Sequence, residues 1–572
     1  MKKIIATLLC LQTLSIATAQ QLENKVPKEA DVVVSSNADN VFELIKMSDI
    51  DSSIIGESLL KKMNRKRKDD AFSSVGDMGV NINANAYYFY KKTDSVGYHG
   101  FMVELKDRAV YESTVKTNKY KTIEQERGFS YVQGYSNFTI WNDGMLLNLS
   151  GDRNRDYFKK HKARFEKLKE EKESNYRLQK RLTKTWVKEE AMRVMNLHRN
   201  QSIAVNSEFK KAVKKGAAMT FWMGHYGSFM GKMMESYGGM NEFSTMFGMI
   251  DTKNPNIYGI ESISANLFFE ENQAKVLMET KVSPSFQKSF KKIYGKRMDK
   301  NLLKGFDGTN VMAYWGMSVD TEAALNEYPL MLNSIYGAMF PKFKEEIDVA
   351  GGMVAMLLDE KAISELITGD ALFVLNDFKK EKVSYTTYKY NEDYERTKVT
   401  KTKDAFVPDF TVMVGSKRQD MLAKLLGIGQ KYKLVSKEAK VYKVDLPKSE
   451  LPIDLYVVLK NEVLYVTSSK TRAFAIERGV SYNSGKHGKD LRKNATVVYL
   501  NPNRVLSAVP KNMIGKSNAK YLKFSEEHVQ SITLKSERFR GNTMKAALSL
   551  NTTGKEENTL KLLLKMINTF GK

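Results

Sequence analysis

One short pattern recurs along this chain and limits what it can fold into. An apolar run rich in β-branched or aromatic residues is followed by a polar turn and then by an amphipathic helical stretch. It occurs at Asp31–Ile45, Met219–Met234, Val311–Leu325 and Phe410–Leu426. In the first copy Val32-Val33-Val34 reads as a strand, and Asn37 to Asp39 cap a helix carrying Val41, Phe42, Leu44 and Ile45. The copies follow no fixed period, which argues against a solenoid. Hairpins are expected at Ile263–Lys281, turning at Glu271-Asn272, and at Leu455–Thr467. The pattern predicts an α+β chain of repeated modules, each an antiparallel sheet with packed helices, joined by a long charged helical segment.

Charge and glycine usage locate that segment. Residues 151–200 hold sixteen Lys/Arg against eight Asp/Glu, with no proline and no glycine after Gly151. Phe158, Phe165, Leu168, Leu178, Leu182 and Trp186 form a sparse apolar seam near helical spacing. The expected organisation is an N-terminal module over 20–150, a charged helical connector over 151–205, a central module over 206–395 and a C-terminal module over 396–572. Residues 379–405, charged and rich in Tyr and Thr, read as an exposed hairpin or linker.

Residues 1–19 read as a secretory signal. Lys2 and Lys3 precede an apolar run from Ile4 to Ile16, and Ala17-Thr18-Ala19 supplies the small-residue cleavage pattern before Gln20. The single cysteine, Cys10, lies inside that run, which leaves the mature chain without thiols. A disulfide scaffold and a Cys-ligated zinc or iron–sulfur site are thereby excluded. No other stretch is long and apolar enough to span a bilayer as a helix. The expected location is exported, periplasmic or associated with the outer membrane.

The residues that carry common chemistries are sparse. There is no nucleophile elbow, P-loop, His-Glu-x-x-His motif or EF-hand loop. Ser207-Glu208-Phe209-Lys210 and Ser285-Phe286-Gln287-Lys288 match S-x-x-K, but no Lys-Thr-Gly follows either. His99, His161, His198, His225, His487 and His528 stand too far apart in sequence to share a local metal site. Met219, Met223, Met230, Met233, Met234, Met240, Met246 and Met249 crowd one stretch beside His225. Thioethers there suit copper(I), and they equally suit an irregular core or an adaptable apolar surface. Asp94-Ser95-Val96 matches a short O-glycosylation pattern. No cofactor is expected.

Three passages and a terminus resemble a family. Asn196-Leu197-His198-Arg199-Asn200-Gln201-Ser202-Ile203-Ala204-Val205-Asn206-Ser207-Glu208-Phe209, leading into Ala218–Trp222, is similar to a recurring passage of a Bacteroidota domain-of-unknown-function family of envelope proteins. The opening Val26–Val34, the hairpin Ser264–Thr280 and the end Asn558–Leu564 resemble the same family. The resemblance implies an exported protein with no established activity and no catalytic residues to carry over. Many such proteins look like lipoproteins, and this chain departs from them in lacking a lipobox.

The basic balance, 91 Lys+Arg against 66 Asp+Glu for a net +25, calls for anionic surroundings. Export argues against nucleic acid and points to an anionic envelope polymer or lipid, or to an envelope protein. The densest cluster is Lys61, Lys62, Arg65, Lys66, Arg67 and Lys68, the candidate anion-binding residues; a solvated face is the simpler reading of it. The expected role is non-enzymatic binding or scaffolding in the envelope. The alternatives are a receptor for an anionic glycan or lipid, and an enzyme with an unrecognised site.

Overall fold

The computed structural model describes residues 22–571 except 66, 68–70, 117–121, 135–136, 228, 231–258, 341–342, 391–393, 446–452 and 509–517. The expected signal segment 1–19 and most of the Met-rich stretch therefore lie outside the described residues. The protein is an α+β mixture of helices and antiparallel strands. It divides into two compact units. The first runs to Lys281 and includes Ala338–Lys342 and Glu556–Lys572; the second comprises Val282–Gly337 and Phe343–Lys555.

The first unit is built on β1 (Val32–Ser36), β2 (Tyr87–Lys92), β3 (Val96–Glu104), β4 (Glu124–Glu126), β5 (Phe129–Gln133), β6 (Asn137–Trp141), β7 (Met145–Arg153), β8 (Met219–Met223), β9 (Ile260–Phe269) and β10 (Gln273–Val282). Their pairings give the order β4-β5-β6-β7-β3-β2-β1-β8-β9-β10. Alternation along these strands sends Val33, Phe89, Met102, Phe138, Ile140, Leu147 and Leu149 into one core. The helix Asn175–Met195 covers that face with Val187, Ala191 and Val194. Gly151 makes its close approach possible, because a Cβ there would stand 2.4 Å from Val187 Cγ2. The apolar seam of the charged segment forms a small core of its own, with Phe158, Phe165 and Leu178 buried against Leu182 and Trp186.

The second unit uses β11 (Ala313–Ser318), β12 (Asp370–Tyr390), β13 (Arg396–Gly415), β14 (Val435–Glu438), β15 (Val441–Val444), β16 (Leu455–Lys460), β17 (Val463–Thr467), β18 (Asn494–Leu500), β19 (Val529–Glu537) and β20 (Thr543–Thr552). The order is β14-β15-β16-β17-β13-β12-β11-β18-β19-β20. Each strand thus takes the place of the one ten earlier in the first unit. The helices repeat as well. Three stand between β1 and β2 (Ala38–Phe42, Met47–Asp51, Ile54–Asn64) and three between β11 and β12 (Thr321–Met339, Lys344–Leu357, Glu360–Leu366). One follows β3 (Arg108–Lys116) and one follows β13 (Gln419–Lys431). The fold is one ten-stranded motif made twice.

The helices that trail the two sheets are exchanged. Pro284–Tyr294, which follows β10, belongs to the second unit, and Thr559–Phe570, which follows β20, belongs to the first. In the second unit Phe286 packs with Phe539, Met331 and Ile335. In the first, Asn558 caps its helix at Leu560 N (3.1 Å) and Lys561 N (3.0 Å), and its Nδ2 donates to Leu44 O at 2.8 Å. Ile54 N donates to Asn568 Oδ1 at 2.9 Å, and Leu560 and Leu562 are buried.

Both expected hairpins are present. β9 and β10 turn at Glu271-Asn272, closed by Glu270 N to Gln273 O at 2.9 Å. β16 and β17 turn at Asn461-Glu462, whose φ values of 53° and 60° suit a two-residue I′ turn. Strands β12 and β13 stay paired from Lys379↔Val407 to Tyr390↔Arg396, a long hairpin arm over the stretch read as hairpin or linker. No helix among the described residues is long and apolar enough to cross a membrane.

Candidate functional site: a basic cavity in the second unit

The helix Gly485–Lys493 precedes β18 and has two chemically distinct faces. His487, Gly488 and Leu491 are buried. Leu491 seats on Gly316 of β11, where a Cβ would come within 2.2 Å of its Cδ2. His487 Nδ1 lies 3.1 Å from Tyr314 Oη, with the imidazole edge-on to Tyr314 and Tyr499. Burial first, then the Lys486 ammonium, pulls the His487 pKa down, and Asp490 opposes them. The opposite face carries Lys486, Lys489 and Lys493, all exposed, with Arg492 half-buried.

Two other segments bring more cations to that face. Met298, Leu302 and Leu303 are buried, which turns Arg297 and Lys300 outward. The loop at 482–485 is tied to this region through Tyr482 N to Lys304 O (2.9 Å) and Gly308 N to Asn483 O (3.0 Å). Arg538, from the end of β19, donates Nε to Lys493 O at 3.1 Å, at the helix C-terminus where a cation is favoured.

Together they line a broad concavity of about 880 Å³, open to solvent, with Arg297, Lys300, Lys486, Lys489, Arg492, Lys493 and Arg538, and with no acidic residue. None of the seven forms an ion pair with a described carboxylate. Two acids near these cations in sequence are engaged elsewhere, Asp490 with Lys535 at 2.8 Å and Asp299 capping Asn301 N at 2.8 Å. Burial first, then the guanidiniums of Arg297, Arg540 and Arg492, hold Arg538 below the ordinary arginine value. Arg492 Nε is buried without an acceptor. Ser484, at the helix N-cap, makes no side-chain cap. So many like charges in one concavity repel one another, and an anion placed among them lowers that energy. Neutral ligands find no comparable set of acceptors there, and the cations cannot supply a general base while protonated.

The cluster singled out from sequence belongs to the first unit, and none of it lines this cavity. Lys61 and Lys62 are exposed on the helix Ile54–Asn64, and Arg65 is its C-cap. Arg67 is engaged internally. Its Nη2 donates to Ser113 Oγ (2.6 Å) and Thr114 Oγ1 (3.1 Å), and its guanidinium lies 4.1 Å from the Phe72 ring centre. Lys66 and Lys68 lie outside the described residues. Of the methionines, Met219 and Met223 sit on β8, Met230 is half-buried, and Met233, Met234, Met240, Met246 and Met249 lie outside the described residues. Sequence reasoning missed the second-unit cations. The available signal was local, Lys486, Lys489 and Lys493 on one side of a helix whose other side carries His487 and Leu491.

One further constellation has the outline of a relay. Tyr88 Oη lies 2.7 Å from His99 Nδ1, and His99 Nε2 lies 3.1 Å from Asp152 Oδ2. Burial first, then Asp152, raises the Tyr88 hydroxyl pKa, the reverse of what activates a nucleophile. The Ser285 hydroxyl of one S-x-x-K match lies 3.1 Å from Ser283 Oγ. Among the described residues no three His, Cys, Asp or Glu side chains are placed to hold a metal.

No family model and no curated protein matches the chain. Solved structures of TP0453 align with part of it. Crystal form IV is 10% identical and covers 47% of this chain and 83% of that one, with a TM-score of 0.25. Crystal form III is 11% identical over 46% and 80%, with a TM-score of 0.24. A likeness this slight carries neither fold nor function across.

Proposed function

We propose that the protein is an exported, non-catalytic receptor that captures an anionic ligand of the cell envelope in the basic cavity of its second unit. One observation carries this reading, seven cations converging on one concavity with no acidic residue in its lining. A solvated basic face would spread its charges over a convex surface and pair some of them. These are gathered from three separate segments around one broad, open concavity. Retention on an immobilised polyanion across a salt series tests it. Lys486→Glu with Lys489→Glu removes retention far more than the same charge change made by Lys61→Glu with Lys62→Glu. Equal losses from the two pairs would assign retention to overall charge and end the proposal.

A scaffolding role is the second reading, favoured by the helices between β11 and β12. Leu330, Met356 and Leu357 there are 64%, 88% and 84% exposed, more apolar surface than a helix pair leaves open without cause. Crosslinking in whole envelopes, with Met356→Glu as the control, tests it: loss of a specific crosslinked species in the variant is the supporting result.

A further inference from the structure

The two units hold cavities at the same point of their shared topology. In the first, the turn Glu23–Lys25 just before β1 faces the helix Ser207–Ala212 just before β8, and Glu23, Arg199 and Lys210 line about 310 Å³. In the second, Arg297 to Leu303 just before β11 face the helix Gly485–Lys493 just before β18, around about 880 Å³. The first cavity contains its own carboxyl group. Glu23 is half-buried there; burial raises its pKa, and the attraction of Lys210 and Arg199 opposes that rise. The second cavity is larger, has more cations, and has no carboxylate at all.

We infer that the ligand of the second unit places a phosphoryl group, as a phosphomonoester or pyrophosphate, where the first unit places the Glu23 carboxylate. This rests on anion capture by the same cavity. A carboxylate brings one charge and two acceptor oxygens, and the first unit sets two cations near it, neither of them in an ion pair with Glu23. The second unit presents seven, three of them guanidiniums close enough to repel one another. Planar guanidinium forks match pairs of phosphoryl oxygens. A phosphomonoester brings close to two charges and three acceptors. The orphaned Arg492 Nε and the helix start at Ser484, which lacks a side-chain cap, supply donors that a single carboxylate leaves unused.

The test is calorimetric titration of the full chain at low salt with inorganic phosphate, pyrophosphate and digalacturonate, the last a phosphate-free dianion. Inorganic phosphate and pyrophosphate both bind at least about tenfold tighter than digalacturonate, and Arg492→Gln, Arg538→Gln and Lys300→Glu each weaken pyrophosphate about tenfold or more. Lys300→Glu also raises the ligand-free melting temperature, since it gives the second unit an internal carboxylate; this reading shows the variant is folded. Digalacturonate binding as tightly as pyrophosphate would overturn the phosphoryl assignment and leave anion capture standing. No binding by any of the three probes would overturn both. Pyrophosphate binding that all three variants leave unchanged would place the site elsewhere and overturn the inference. Sedimentation with phosphatidylcholine vesicles containing phosphatidate separates the sources. Co-sedimentation displaced by pyrophosphate supports a lipid headgroup, and pyrophosphate binding without co-sedimentation supports a soluble phosphoryl compound.

Discussion

The two units share a strand order and differ in how far each has closed. After β3, the helix Arg108–Lys116 packs Tyr111 and Val115 against a core of Leu105, Val132, Trp141 and Leu146. After β13, the corresponding helix Gln419–Lys431 half-buries Leu422 and Leu426 and leaves Met421, Leu425 and Ile428 exposed. Before β1 a glutamate sits among cations; before β11 the cations stand alone. A duplicated scaffold allows this division. One copy sets a carboxyl group among the cations before its first strand, and the other gathers cations there with no acidic residue in the lining. The open copy stays folded because its core, from Tyr314 and Leu372 to Met413 and Tyr465, is complete.

The comparison is broken most severely by removing residues 556–572. The first unit then loses buried Leu560 and Leu562, about 2–3 kcal/mol each, and the caps that tie them in. Two-transition calorimetry is expected to show the first unit melting far earlier and the second unchanged. Next comes Leu491→Ala, which costs the second unit about 3 kcal/mol in chemical denaturation and weakens anion binding by loosening the helix that carries the cations. A smaller contrast comes from pH. Because His487 is held neutral in the folded second unit, its contribution is present above its unfolded pKa of about 6.5 and is lost as pH falls below that value. The second unit's midpoint should therefore drop on mild acidification, and His487→Gln should flatten that drop. The smallest effects separate the members of the sequence cluster. Arg67→Ala costs about 1–2 kcal/mol through lost bonds to Ser113 and Thr114, whereas Lys61→Glu with Lys62→Glu stays within about 0.5 kcal/mol by thermal melting.

What the sequence disclosed was local. The strand–turn–helix pattern at Asp31–Ile45 and Val311–Leu325 falls on β1 and β11, equivalent places in the two copies. The hairpins at 263–281 and 455–467 follow from alternation and turn residues, and both formed. The doubling itself was hidden because strand order rests on distant pairings. β1 lies between β2 and β8, and no short-range signal states that. The seam in 151–200 was visible as periodicity, but charge made its helix look solvated throughout, while Val187, Ala191 and Val194 carry its far end into the main core. The basic cavity was missed for a related reason. A scan for charge finds contiguous runs such as Lys61–Lys68, and this site is assembled from residues near 297, 489 and 538.

The exchanged helices also set a clock. Hydrogen bonds from Ile54 to Asn568 and from Asn558 to Leu44 each span 514 positions. During synthesis the first sheet emerges long before the helix that completes it. At ~5–20 residues per second, the interval between residues 281 and 556 is on the order of 15–55 s. Until residues 556–572 arrive, the first unit lacks buried Leu560 and Leu562 and both of these bonds.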